Sequence, residues 1–247
     1  MLDIYRPEDS QEKILPVIIN VHGGGLIIGN KEFNRYFCAL LCKKGFLVYS
    51  IEYRLIPDCL IYDQIADVFM AMDYIKERLA ADGGDSSHVY MAGDSGGACL
   101  ITYANAIQNS TNIARAANVT PSGLRINALG FISGMFYTSR FDKIGLFLPK
   151  YLYGRDYKKT SFAKYVNPEN RELLNSLAPV WLVTSHNDFL RRYTTDFEKA
   201  LTRAEREHEL VVFPKNKKLT HAFSVFEPFL PESSAVIDMM VEYLRKF

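Results

Sequence analysis

Apolar residues along this chain fall into short unbroken runs, separated by stretches in which they recur every three or four positions. The runs at 17–22 (VIINVH), 47–52 (LVYSIE), 89–92 (VYMA), Ala128–Ile132 (ALGFI), 180–184 (VWLVT) and 210–213 (LVVF) are rich in β-branched and aromatic residues. Continuous apolarity of this kind predicts parallel strands buried on both faces of a sheet. Between the runs, helical spacing predicts helices near 33–44, 63–81, 97–108, 193–207 and 232–246. In the second of these, Ile65, Val68, Phe69, Met72, Ile75 and Leu79 share one helical face. Strands alternating with helices predict right-handed βαβ units and an α/β three-layer sandwich around a mostly parallel central sheet. At 247 residues, with no repeat, linker or low-complexity stretch, the chain reads as a single domain, 1–247.

One segment breaks the rhythm. Residues 136–165 carry nine Phe or Tyr, interleaved with Lys and Arg, which makes a poor core strand. An insertion after the C-terminal end of a strand is where α/β proteins build lids and substrate walls. The plainer alternative is a helical excursion whose aromatics only pack on the sheet.

Composition narrows the classes. The chain is 48% hydrophobic and 23% charged with net charge +1, so no basic excess points to nucleic acid and no charge block points to a membrane surface. The opening MLDIYRPEDSQEK lacks the charged and apolar regions of a secretion signal, and no apolar run reaches membrane-spanning length. Cys38, Cys42, Cys59 and Cys99 complete no metal-ligand set and read as free thiols. A reduced, cytoplasmic protein, monomer or homodimer, without metal or cofactor, is the expectation.

The candidate chemistry centres on Ser95. Residues 93–97 spell GDSGG, the string around the nucleophile of trypsin-like proteases, and also satisfy G-x-S-x-G. The protease arrangement requires the order His, Asp, Ser on two β-barrels. Here Ser95 lies in the first half of an α/β pattern, and the upstream His22 is followed by three glycines. The surroundings instead predict a strand, a sharp turn with Ser95 at its apex, and a helix whose N-terminal dipole favours negative charge.

HGGG at 22–25 follows the first predicted strand, where glycines let backbone N–H groups approach an oxyanion. Gly24, Gly25 and Gly96 are the expected donors, and His22 is expected to anchor the loop. Of the other histidines, His88 and His208 belong to the wrong edge of the sheet. His221 lies in the loop after the last strand, and Asp188 follows directly after strand 180–184, beside His186. The order Ser95, Asp188, His221 is that of a nucleophile, its acid and its base. Asp196, the nearest rival acid, falls inside the next helix.

These residues together resemble the hormone-sensitive-lipase-like esterases, a branch of the α/β hydrolases. The matching stretches are His22–Gly25 as HGGG, Tyr53-Arg54-Leu55-Ile56-Pro57-Asp58, GDSGG at 93–97, Asn187-Asp188-Phe189-Leu190 and His221-Ala222-Phe223. The resemblance covers roughly residues 2–247. It implies an α/β-hydrolase sandwich and a serine carboxylesterase acting on a small-molecule ester, with Ser95, Asp188 and His221 as triad. Short-chain (acetyl-like) acyl or small aromatic esters are the expected substrates. An amidase or deacetylase with the same triad, or a non-catalytic binder on the same fold, are the alternatives. Alanine is common after the nucleophile in this family, where this chain has Gly96. Members usually carry an N-terminal cap, whereas HGGG begins here at residue 22, so 136–165 is expected to shape the pocket as a short cap or lid.

Overall fold

The computed structural model describes residues 1–10 and 13–247. In chain order the elements are β1 (Leu2–Tyr5), β2 (Leu15–Val21), α1 (Arg35–Lys43), β3 (Leu47–Ile51), α2 (Ile61–Arg78), β4 (Gly84–Asp94) and α3 (Ser95–Asn109). They continue with α4 (Thr111–Ala117), β5 (Ala128–Ile132), α5 (Lys143–Phe147), α6 (Pro149–Tyr153), α7 (Arg171–Asn175) and β6 (Val180–Ser185). The last four are α8 (Arg191–Arg203), β7 (His208–Phe213), α9 (Phe223–Phe226) and α10 (Pro231–Leu244). The strands form one seven-stranded sheet in the order β1-β3-β2-β4-β5-β6-β7. All neighbours are parallel except β1, which runs antiparallel to β3 at the edge. This is the α/β-hydrolase architecture expected from the sequence.

Six of the seven strands coincide with the predicted runs. The seventh, β1, is four residues long and only half-buried, so it offers no apolar run to detect. The parallel strands divide their side chains between two cores, as a period-two backbone between helical layers requires. Val17, Ile19 and Val21 of β2 join the core under α2, α3 and α8. Ile18 points the other way, to the core it shares with Phe37 and Leu41 of α1 and Val236, Ile237 and Met240 of α10. The predicted stripe of α2 is buried along its length, from Ile65 to Leu79. Helix α3 is buried on every side from Ser95 to Ile107, which explains why its sequence shows no polar face. Among the described residues, no helix is long and apolar enough to cross a membrane.

Register decides which strand ends meet. Val21 pairs with Gly93, Asp94 with Ile132, Ile132 with Val183, and Ser185 with Phe213. The C-terminal ends of β2, β4, β5, β6 and β7 therefore lie level along one edge, and the loops that leave them share one rim.

Candidate active site

Ser95 leaves β4 directly into α3 with φ +47, in the left-handed region that residues with side chains avoid. That turn holds because the glycines around it leave room. A side-chain carbon on Gly97 would come within 2.1 Å of the Val21 carbonyl oxygen and 2.6 Å of that of His22. Only glycine lets α3 start flush against the end of β2. The Ser95 side chain is left 7% exposed, at the base of a pocket.

His221 stands between Ser95 and Asp188. Its Nδ1 donates to Asp188 Oδ1 over 2.7 Å, and its Nε2 lies 3.0 Å from Ser95 Oγ. With the ring proton on Nδ1, Nε2 presents a lone pair to the serine hydroxyl. The loop after β6 fixes the carboxylate: Leu190 N–H donates to Oδ1 over 2.8 Å, and Thr184 Oγ1 donates to Oδ2 over 2.8 Å. Burial raises the Asp188 carboxyl, but the hydrogen bond and charge of His221, with bonds from Ser133 and Leu190, overcome it and hold the carboxyl below its usual range. Asp188 is thus set to stay ionised beside the imidazole.

The other candidates lie elsewhere. His88 is exposed and pairs with Asp85, His208 faces Glu198, and His186 sits against Arg191. Asp196 pairs with Arg140 from within α8.

The glycine loop after β2 is held from below. The His22 ring is buried, bonds the Gly23 carbonyl through Nδ1 at 2.8 Å, and stacks on Tyr53 with ring centres 4.2 Å apart. Tyr53 donates its hydroxyl to the His22 and Gly23 carbonyls at 2.8 and 3.2 Å, so the 53–58 stretch braces this loop. Gly23 N–H donates to Asp94 Oδ1 over 2.9 Å, and Asn34 Nδ2 reaches the same oxygen over 2.9 Å. Burial pushes the Asp94 carboxyl above its usual range, against the bonds from Asn34 and Gly23 and the nearby imidazoles. Gly24 and Gly25, at φ +104 and +63, then turn beside Ser95. Among the described residues, the N–H groups of Gly24, Gly25 and Gly96 donate to no protein acceptor.

The pocket above Ser95 has a volume of about 590 Å³. One wall comes from the glycine loop and the stretch that leads from it to α1, with Ile27, Ile28 and Phe33. The opposite wall comes from 136–165, through Ile144, Phe147, Leu148 and Tyr151. Phe189 lies over His221, ring centres 4.4 Å apart, and Phe226 adds to the lining. Asp94 and Lys143 are the carboxylate and ammonium of an otherwise apolar lining, apart from His221 and Ser95.

Segment 136–165 divides its aromatic residues between the core and the pocket. Phe136, Tyr137, Tyr153, Phe162 and Tyr165 are buried, and Tyr153 Oη bonds Tyr103 Oη at 2.9 Å and Thr138 Oγ1 at 2.7 Å. Phe147 and Tyr151 are 68% and 50% exposed and face the pocket. Helix α5 buries none of its residues, and its N-cap Asp142 is fastened by the Tyr193 hydroxyl at 2.6 Å. Cys38, Cys59 and Cys99 are buried free thiols, away from the pocket lining. Among the described residues, no group of three or more His, Cys, Asp or Glu could hold a metal ion.

A family profile described as the alpha/beta hydrolase fold matches residues 18–224, which include all of these loops. The chain belongs to this α/β hydrolase family. Its relatives include a probable isoprenylcysteine α-carbonyl methylesterase of Oryza sativa subsp. japonica, 29% identical over 184 residues that cover 70% of this chain and 44% of the rice protein. Tuliposide A-converting enzyme b1, amyloplastic, of Tulipa gesneriana is 30% identical over 131 residues, 48% of this chain and 35% of the tulip protein. The chain thus spans less than half the length of the curated relatives it matches. Esterase B of Lactobacillus rhamnosis superposes with a TM-score of 0.91 at 23% identity, over 99% of this chain and 80% of that one. A bacterial heroin esterase superposes with a TM-score of 0.75 at 24% identity, over 99% and 78%.

Several residues of this α/β hydrolase site carried no signal that sequence reading used. Asp94 filled a variable position of G-x-S-x-G, yet it is a buried carboxylate that fastens the glycine loop. An acid placed between the apolar run 89–92 and the serine is the clue that marks it. Asn34, Thr184 and Phe226 lie in segments without motifs and reach the site only through the fold.

Proposed function

We propose that this α/β hydrolase is a serine carboxylic ester hydrolase with Ser95, His221 and Asp188 as its triad. The observation that carries the reading is the hydrogen-bonded chain from Asp188 through His221 to Ser95, opening into an apolar pocket. His221 Nε2 takes the Ser95 proton as Oγ attacks the ester carbonyl. The oxyanion that forms is met by the N–H groups of Gly24, Gly25 and Gly96, aided by the N-terminal dipole of α3. His221 then protonates the leaving alkoxide, and water, activated by the same imidazole, hydrolyses the acyl-enzyme. Asp188 keeps the proton on Nδ1 and stabilises the imidazolium.

The relatives' names support the same reaction class, since the rice protein is named a methylesterase and the bacterial neighbours esterases. For the substrate we propose neutral esters with an apolar acyl or alcohol group. Between short acyl and small aromatic groups, the pocket favours the aromatic, because an acetyl group would leave most of 590 Å³ and its Ile, Phe and Tyr walls unfilled. In this reading 136–165 serves as a short lid on one domain. The test is hydrolysis of p-nitrophenyl acetate and a naphthyl ester by Ser95→Ala. Loss of at least about 10⁴-fold in kcat is expected, and full activity in that variant would discard the assignment.

A further inference from the structure

Asp188 and His221 belong to separate loops, one after β6 and one after β7, so their mutual placement needs a tie between loops. Two ties are present. The Ser185 hydroxyl donates to the Leu219 carbonyl. Ala222 N–H, next to His221, donates to Ser133 Oγ over 3.0 Å. Ser133 belongs to neither loop. It directly follows β5, is 1% exposed, and donates its own N–H to the Val183 carbonyl of β6 over 2.9 Å.

The two partners of the second tie are both held in the left-handed region, Ser133 at φ +51 and Ala222 at φ +50. Residues with side chains persist there only where their surroundings over-determine them. For the backbone alone, glycine would be the undemanding choice at 133, so what serine adds is its hydroxyl. A hydroxyl offers one proton and two lone pairs. Ala222 N–H occupies a lone pair over 3.0 Å, and the Ser133 hydroxyl is one of the groups that hold the Asp188 carboxyl below its usual range.

We propose that Ser133 is a positioning residue, which pins the loop of the base to the strand that carries the acid. Its hydroxyl accepts from Ala222 beside His221 while its N–H donates to Val183 of β6, the strand that leads to Asp188, so the imidazole cannot shift against its carboxylate without breaking a buried bond. The proposal rests on the triad reading above. No bond to substrate is assigned to Ser133.

The test compares kcat and KM for p-nitrophenyl butyrate in Ser133→Gly, in Ser133→Ala, and in each combined with Asp188→Asn. Glycine suits φ +51 and removes only the hydroxyl, so Ser133→Gly is expected to keep its melting temperature and its KM within about twofold. Its kcat is expected to fall about 10²-fold, the scale of a misplaced catalytic group. In the Asp188→Asn background the same change is expected to cost less than about threefold, because groups that act as a unit are non-additive. A kcat within twofold of the parent, or the same fold-loss in both backgrounds, would overturn the proposal. If Ser133→Gly does not fold, Ser133→Ala carries the same comparison. Ser95→Ala separates the two levels: activity retained there sinks the triad reading itself, whereas an inactive Ser95→Ala beside an active Ser133→Gly sinks only the role of Ser133.

Discussion

A side-chain carbon on Gly96 would stand 3.1 Å from the backbone nitrogen of Gly25 and 2.9 Å from that of Leu26. The start of α3 and the glycine loop after β2 therefore touch backbone to backbone, beside the serine. The loop fills the space that the methyl group of an alanine at this position would need. Gly96→Ala is expected to displace the loop and lower kcat about 10²-fold, the cost of losing an oxyanion donor. KM should change far less, and steady-state kinetics with an unchanged circular dichroism spectrum would establish this. A kcat equal to the parent would mean that the loop yields without consequence.

Gly97 is expected to respond through stability. Its added carbon would meet two carbonyl oxygens of the β2 end, at 2.1 and 2.6 Å, and backbone cannot turn aside as a side chain can. Gly97→Ala should cost at least about 1–3 kcal/mol, lowering the melting temperature by several degrees or more in a chain of this length. Thermal unfolding followed by calorimetry reads it directly.

The pocket wall contributed by 136–165 is open to a specificity test that leaves the fold alone. Phe147 lies on α5, which buries none of its residues. Phe147→Ala should therefore leave the melting temperature within a degree or two. For a naphthyl ester that reaches the wall, kcat/KM should fall about 5- to 10-fold, equivalent to about 1 kcal/mol of lost apolar contact. For p-nitrophenyl acetate it should stay within twofold. Equal losses on both esters would mean that Phe147 acts on the chemistry and not on the pocket.

Two buried carboxylates should pull stability in opposite directions as pH changes. Asp188 is lowered in the folded chain, so its contribution is present above the unfolded value of about 3.9 and is lost as pH falls through the lower folded value. Asp94 is raised, so it costs stability above its folded value, and that cost disappears as pH falls through that value toward the unfolded one. Asp94→Asn retains an acceptor for Gly23 N–H and removes the buried charge. We expect it to melt higher than the parent at pH 8, with the difference shrinking as Asp94 becomes protonated in acid. Asp188→Asn should melt lower at pH 8, and its deficit should shrink only below about pH 4. Urea titrations across pH 3–8 would reveal either sign reversed.

The elements that the sequence made legible share a property: each is encoded over a few neighbouring residues. Continuous apolar runs marked six strands, and a turn of glycines between strand and helix marked Ser95. His221 and Asp188 followed from their order after particular strands. The edge strand β1 escaped because four residues, half-buried or exposed, make no run, and α5 and α6 because five-residue helices leave no periodic stripe.

What the sequence by itself determined is the layered α/β framework and which residues gather at one edge of its sheet, because period and turn chemistry are local properties. Only the tertiary structure decided how those residues are held and what surrounds them. Asp94 beneath the glycine loop, Ser133 on the loop of His221, and Phe33 and Phe147 lining one pocket depend on strand register and on packing between segments more than 60 residues apart. No pattern along the chain specifies such pairs, since each partner is an ordinary residue until the sheet aligns it. Gly96 marks the boundary: the sequence offered it as a backbone donor, and the fold made it the contact at which a methyl group no longer fits.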